Sequence, residues 1–164
     1  MVRAAILVIS NKMFLGREVD QGREGLERMV ADIPGTLIAY EMAPDDRKAI
    51  REQLAKLCDK HAPDVVLTVG GTGVRPTDWT PEATRDVIEK EVPGLGEAMR
   101  QESLKKVRTA MLSRATAGIR GQTLIVNLPG SPKGAKDNLA VILPVLDHVV
   151  EKIRTRGMVD EAGP

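Results

Sequence analysis

Residues 65–81, VVLTVGGTGVRPTDWTP, limit what this chain can fold into more than any other stretch. Val65-Val66-Leu67-Thr68-Val69 is a short, apolar, β-branched run, the pattern of a strand covered on both faces. Gly70, Gly71 and Gly73 follow, where a backbone without Cβ atoms can turn sharply and approach a ligand closely. Thr80-Pro81 reads as a helix opening, a hydroxyl cap followed by proline at the first helical position. A loop of bare backbone N–H groups ahead of a helix is an anion site. Asp78 lies between turn and helix and has two readings. It serves local turn hydrogen bonds, as Asp often does beside glycines. Alternatively it holds a metal ion, whose charge offsets the repulsion between a carboxylate and a phosphate. Residues 71–76 lack the third glycine of a dinucleotide fingerprint, and no Gly-Lys-Ser/Thr of a Walker A loop is present.

Strands and helices alternate around this stretch. Residues 2–9 form an apolar strand, 13–21 a loop and 22–31 a helix. A strand over 36–42 mixes in polar residues and belongs nearer an edge. Pro44-Asp45-Asp46 opens a helix to about His61. Residues 81–91 form a helix, 93–96 interrupt it, and 97–107 resume it. Residues 117–121 read as a loop and 122–126 as a buried strand. The last helix runs to about Arg154, with Pro144 expected to kink it. The alternation predicts an α/β sandwich with a largely parallel sheet, one domain over 1–154 and a frayed tail over 155–164. In such sheets ligands bind beyond the carboxyl ends of the strands. That places Ser10-Asn11-Lys12, Pro44-Asp45-Asp46, residues 70–78 and residues 127–133 near one another. Ser131-Pro132 repeats the cap-then-proline signature, so two loops suit anions and two carry Asp. Such a set suits a substrate pair with several phosphates and a divalent ion. Asp45 reads equally as a helix N-cap, and Lys133 as a solvated helix residue.

Net charge is +1 over 164 residues, without a basic block, and the aromatics are Phe14, Tyr40 and Trp79 alone. Neither a basic stripe nor a stacking platform for nucleic acid can be built from these. No run is long enough to cross a membrane, and residues 4–9 are too short for a signal-peptide core. The lone cysteine, Cys58, rules out an intrachain disulfide and a cysteine-rich zinc site, and fits a reducing cytoplasm. It lies on the apolar stripe of its helix and reads as core. His61, at a helix end, and His148, off the apolar stripe of the last helix, are not expected to be catalysts.

Thr68-Val69-Gly70-Gly71-Thr72-Gly73, Arg75 with Asp78, and Thr80-Pro81-Glu82-Ala83-Thr84 resemble the signature of the MoaB/Mog family of molybdenum cofactor biosynthesis proteins. Residues 93–100 (PGLGEAMR), 110–114 (AMLSR), 118–120 (GIR) and 127–133 (NLPGSPK) continue the resemblance in order. It implies a three-layer α/β/α sandwich, the molybdopterin-binding-domain fold, assembled as a homotrimer or homohexamer. The implied activity is molybdopterin adenylyltransferase, with ATP and molybdopterin giving adenylyl-molybdopterin and pyrophosphate. On this resemblance the key acidic positions are Asp45 and Asp78, holding Mg²⁺. Ser10, Gly70, Gly71, Thr72, Gly73, Glu97, Ser113, Arg114, Asn127, Pro129, Gly130, Ser131 and Lys133 fall on substrate-binding positions. A further implied partner is the metal-insertion protein of the same pathway. The resemblance departs at Asn11, where an acid is common, so no acidic role falls there. It departs again at Trp79, where a small aliphatic residue is more usual.

The residues suit that chemistry. The terminal phosphate of molybdopterin is already anionic, so no general base is needed. The reaction needs in-line positioning and charge neutralisation at the α-phosphorus. Two rivals differ in outcome: a non-catalytic molybdopterin carrier or assembly protein keeps the pocket without turnover, and a nucleotide hydrolase releases pyrophosphate without molybdopterin.

Overall fold

The computed structural model describes residues 1–155, and the tail predicted over 155–164 lies outside the described residues beyond Thr155. Among the described residues six strands form one sheet: β1 (Val2–Ile9), β2 (Gly35–Ala43), β3 (Val65–Val69), β4 (Lys90–Glu91), β5 (Ala117–Arg120) and β6 (Thr123–Leu128). Their order is β2-β1-β3-β6-β5-β4. β2, β1, β3 and β6 run parallel, while β5 and β4 are antiparallel additions at one edge. β2 forms the opposite edge, as its mixed polarity predicts.

The helices are α1 (Asn11–Phe14), α2 (Arg23–Ala31), α3 (Arg47–Lys56), α4 (Thr80–Val87), α5 (Pro93–Leu104) and α6 (Pro132–Arg154). Side chains alternate across each central strand, so the sheet feeds two cores. Val2, Ala4, Ile6 and Val8 of β1 join Leu67, Val126 and the apolar faces of α2, α5 and α6. Ala5, Leu7 and Ile9 join Val66, Ile125 and the faces of α3 and α4. The result is the three-layer α/β/α sandwich expected from the alternation and the resemblance.

Several local expectations are corrected. Residues 11–14 form a short helix, because the Ser10 hydroxyl accepts from the Met13 N–H at 3.3 Å and caps it. α3 is capped by Asp46, whose carboxylate accepts from Ala49 N–H at 2.8 Å, so Asp45 is not the cap. A π-helical turn (Leu57–His61) ends that helix. Trp79, not Thr80, occupies the N-cap of α4; the Thr80 hydroxyl instead donates to Gly70 C=O at 2.8 Å. α4 stops at Val87, and residues 90–91 pair with β5. Pro93 opens α5 instead of interrupting it, because proline suits the first helical turn. Ala117–Arg120 is a strand and not a loop. Pro144 lies inside α6, where the sequence reading places it.

Asp64 closes the end of the sheet away from the strand exits. Its carboxylate accepts from Arg3 N–H at 2.7 Å and from the Arg154 guanidinium at 2.6 and 3.1 Å, tying α6 to β1 and β3. Asp64→Ala is expected to cost about 2 kcal/mol, since a charged hydrogen-bonded group is removed from a largely buried place. A thermal melt should fall by roughly 4–8 °C; an unchanged melt would show the clamp to be idle.

Candidate functional site

The strand exits meet at one cavity of about 920 Å³. Ser10 enters from the end of β1, Asp45 from β2, residues 70–78 from β3 and residues 129–134 from β6. Parallel strands make this inevitable, because their carboxyl ends share one edge of the sandwich.

The glycine loop is shaped by close backbone packing. Gly70 (φ +106°) donates its N–H to Leu128 C=O at 3.0 Å, and a Cβ there would strike the Ile9 carbonyl oxygen. Gly71 (φ +70°) accepts from Thr80 N–H at 3.1 Å, and a Cβ would strike the Thr80 hydroxyl. Both positions require glycine. Among the described residues no protein acceptor meets the N–H groups of Gly71, Thr72 or Gly73. Gly130 packs against this loop, 3.3 Å separating its ideal Cβ position from Gly70 Cα. Ser131 caps α6, its hydroxyl accepting from Gly134 N–H at 3.1 Å. Lys133 follows, exposed and lining the cavity. Two sets of backbone donors, one helix N-terminus and a lysine therefore face the same space, which suits bound phosphates.

Asp45 and Asp78 both line the cavity. The Asp78 carboxylate accepts from Arg75 N–H at 3.0 Å through Oδ2, which is turn chemistry. The Asp45 carboxylate accepts from Asn11 N–H at 3.2 Å, and Asp45 N–H donates back to the Asn11 side-chain carbonyl at 2.8 Å. The neutral Asn11 thus braces Asp45. In both carboxylates Oδ1 has no hydrogen-bond partner among the described residues. Among those residues no cluster of three His, Cys, Asp or Glu could cage a metal by itself. Mg²⁺ rarely needs such a cage; one or two carboxylates plus substrate phosphates and water suffice. The two free carboxylate oxygens fit that requirement.

Ser10, Gly70, Gly71, Thr72, Gly73, Ser113, Pro129, Gly130, Ser131 and Lys133 line the cavity with the two aspartates. Three predicted residues do not. Glu97 is exposed on α5, away from the cavity lining. Asn127 is fully buried inside β6, donating to the Thr68 and Thr84 hydroxyls at 2.9 Å each. Its side-chain carbonyl accepts from Thr116 N–H at 3.2 Å, so no polar atom is left for a ligand. Arg114 sits behind the glycine loop and bonds to it.

Other lining residues were not among the site residues expected from sequence. Glu18, Val19 and Gln21 come from the α1–α2 loop. That loop is held by Asp20, which bonds to the Tyr40 hydroxyl. Burial, then this bond, pushes the Tyr40 phenol far above its ordinary value. Arg100, Lys106 and Asn138 line the far wall. Cys58 and both histidines lie off the cavity, and burial pushes the Cys58 thiol up to about 11, which suits core and not a nucleophile. Among the described residues no helix is long and apolar enough to cross a membrane.

Residues 5–148 match a family described as a probable molybdopterin binding domain. The chain is 48% identical over 114 residues to a Helicobacter pylori protein named molybdopterin adenylyltransferase, covering 70% of this chain and 65% of that one. It thus spans just under two thirds of that relative's length. An Escherichia coli protein of the same name is 40% identical over 151 residues, covering 91% of this chain and 77% of that one. The crystal structure of the molybdopterin biosynthesis enzyme MoaB from Thermus thermophilus superposes with a TM-score of 0.88 at 46% identity, covering 93% and 96% of the two chains. By fold, by cavity and by these matches, the chain belongs to the MoaB/Mog family of molybdopterin-binding domains.

Proposed function

We propose that this chain is a molybdopterin adenylyltransferase, transferring AMP from ATP to the terminal phosphate of molybdopterin and releasing pyrophosphate. The observation that carries this reading is one cavity joining two phosphate-suited loops and two carboxylates with free oxygens. Its volume of about 920 Å³ lies near the upper end of the range for small-molecule sites. Family membership supplies the identity of the pterin, and the names of the relatives support the reaction.

The chain's own groups do the positioning. Loop N–H groups from Gly71 to Gly73, and those at Gly130-Ser131, orient the phosphates of the two substrates for in-line attack. Lys133 meets a phosphate as a point charge. Asp78 and Asp45 would hold Mg²⁺, which neutralises charge on the ATP phosphates. The attacking phosphate needs no base, in keeping with two histidines that stand apart from the cavity.

The reading extends to a cytoplasmic homotrimer or homohexamer that hands its product to the metal-insertion protein of the same pathway. Phe14, Leu15 and Met111 are 51%, 58% and 63% exposed, apolar surface that a second copy of the chain would cover.

Pyrophosphate release strictly dependent on molybdopterin tests the function. Release without it would indicate a hydrolase. Ser131→Asp tests the second loop. Aspartate caps a helix as well as serine does, so the melting temperature should hold. A negative charge beside a bound phosphate should weaken ATP or molybdopterin binding about tenfold, or ~1.4 kcal/mol. Unchanged affinity for both ligands, measured by calorimetry, would remove this loop from the site.

A further inference from the structure

Arg114 does not line the cavity, yet most of its polar contacts end on the loop that does. Its Nε donates to Gly73 C=O at 2.7 Å and its Nη2 to Asp78 C=O at 2.9 Å. Its backbone N–H donates to Thr72 C=O at 2.8 Å. Nη1 pairs with Glu82 in the first turn of α4. The fork therefore spans the loop from its glycine end to Asp78, which lines the cavity. Residues 74–77 between those ends are exposed; the tip is closed by Asp78 N–H to Arg75 C=O and Arg75 N–H to the Asp78 carboxylate, both 3.0 Å, and the base by Thr80, through its N–H to Gly71 C=O and its hydroxyl to Gly70 C=O.

Glu82 holds the fork in place. Burial works against its charge, but the Arg114 hydrogen bond and neighbouring groups outweigh burial and keep its carboxyl below the ordinary value. Its second oxygen, Oε2, is buried without a partner among the described residues. Such a pair adds little net stability compared with an apolar replacement. Its directional bonds act on the loop instead.

We propose that Arg114, anchored by Glu82, is a positioning residue: it sets the shape of residues 72–78 and so aims Asp78 and the loop N–H groups into the cavity. The consequence for rate rests on the adenylyltransferase reading; the consequence for the loop does not. A lysine would keep the charge but not the fork, because an ammonium cannot serve three separated oxygens in fixed directions.

The experiment compares the full-length protein with Arg114→Lys and Glu82→Gln. Hydrogen exchange reads the loop, and acrylamide quenching of Trp79, the sole tryptophan, reads its end. In Arg114→Lys, the hydrogen-bonded loop amides of Arg75 and Asp78 should exchange at least about tenfold faster while those of β1, β3 and β6 stay protected. Trp79 quenching should rise. kcat should fall about thirtyfold to a hundredfold, with KM for molybdopterin changed less than about threefold, as expected when the reacting groups are displaced by an ångström or so. Glu82→Gln should show the same pattern more weakly, and added guanidinium should partly restore kcat to Arg114→Ala. Loop exchange and quenching equal to the parent's would overturn the proposal, even with activity lost, since Arg114 would then act on substrate. Global unfolding of both variants would overturn it too, making the pair a requirement of the whole fold. If the parent itself proves inactive, the substrate-free loop readouts still decide the role of Arg114, and only the functional reading fails.

Discussion

Asp78→Asn is expected to give a folded protein that forms adenylyl-molybdopterin about a hundredfold more slowly, a loss of ~3 kcal/mol in transition-state stabilisation. The amide carbonyl can still accept from Arg75 N–H, so the turn survives. What disappears is the charge of a cavity-lining carboxylate, and a neutral amide is a poor ligand for Mg²⁺. Molybdopterin binding should persist, because the loop N–H groups proposed to hold its phosphate are unchanged. Adenylyl-molybdopterin formed per minute at saturating Mg²⁺ measures the effect, with circular dichroism confirming the fold. A folded variant keeping more than about half the parent rate, less than ~0.5 kcal/mol, would make Asp78 a turn residue only.

Asn127→Leu is expected to fail in stability and not in binding. Leucine is close in size, but it removes both donations to Thr68 and Thr84 and the acceptor for Thr116 N–H. Thr68 and Thr84 are fully buried and Thr116 is 6% exposed, so water cannot replace those bonds. Orphaning these groups should cost about 3 kcal/mol or more, read as a fall of roughly 6–12 °C in Tm. Urea unfolding gives the same quantity through Cm at unchanged m. Stability within ~0.5 kcal/mol of the parent, combined with weakened substrate binding, would return Asn127 to the site.

Asn127 also marks where sequence reasoning reached its limit. An Asn-Leu-Pro-Gly run looks like a strand exit, and the glycine and proline do form one. Which side of the strand end the amide takes depends on the pleat, fixed by pairing of β6 with β3 and β5. Arg114 is similar. The resemblance puts it among substrate-binding positions, and only tertiary packing turns its fork toward the back of the glycine loop.

The central strands were legible because β-branched runs such as residues 65–69 are buried on both faces. Their parallel order then forces the exits of β1, β2, β3 and β6 together, which is why Ser10, Asp45, the glycine loop and Ser131 meet. β4 and β5 were missed because an antiparallel edge pair this short has little apolar pattern: β4 is two exposed residues. The choice between Asp45 and Asp46 as helix cap was undecidable from adjacent identical residues. The structure resolves it through the Asn11 side chain, which engages Asp45 and leaves Asp46 to cap α3. On the far wall, Arg100 closes the PGLGEAMR motif without having been assigned to the site, and Lys106 and Asn138 carried no motif; the packing of α5 on α6 brings this wall to the cavity.

The most direct test of the account follows the α-phosphorus of ATP through a single mixture of the protein, Mg²⁺, α-labelled ATP and molybdopterin. Two phosphate-suited loops and two carboxylates on one cavity predict label in adenylyl-molybdopterin, with one pyrophosphate released per product and none when molybdopterin is omitted. Label appearing in free AMP, or both ligands bound with no label transferred, would contradict it.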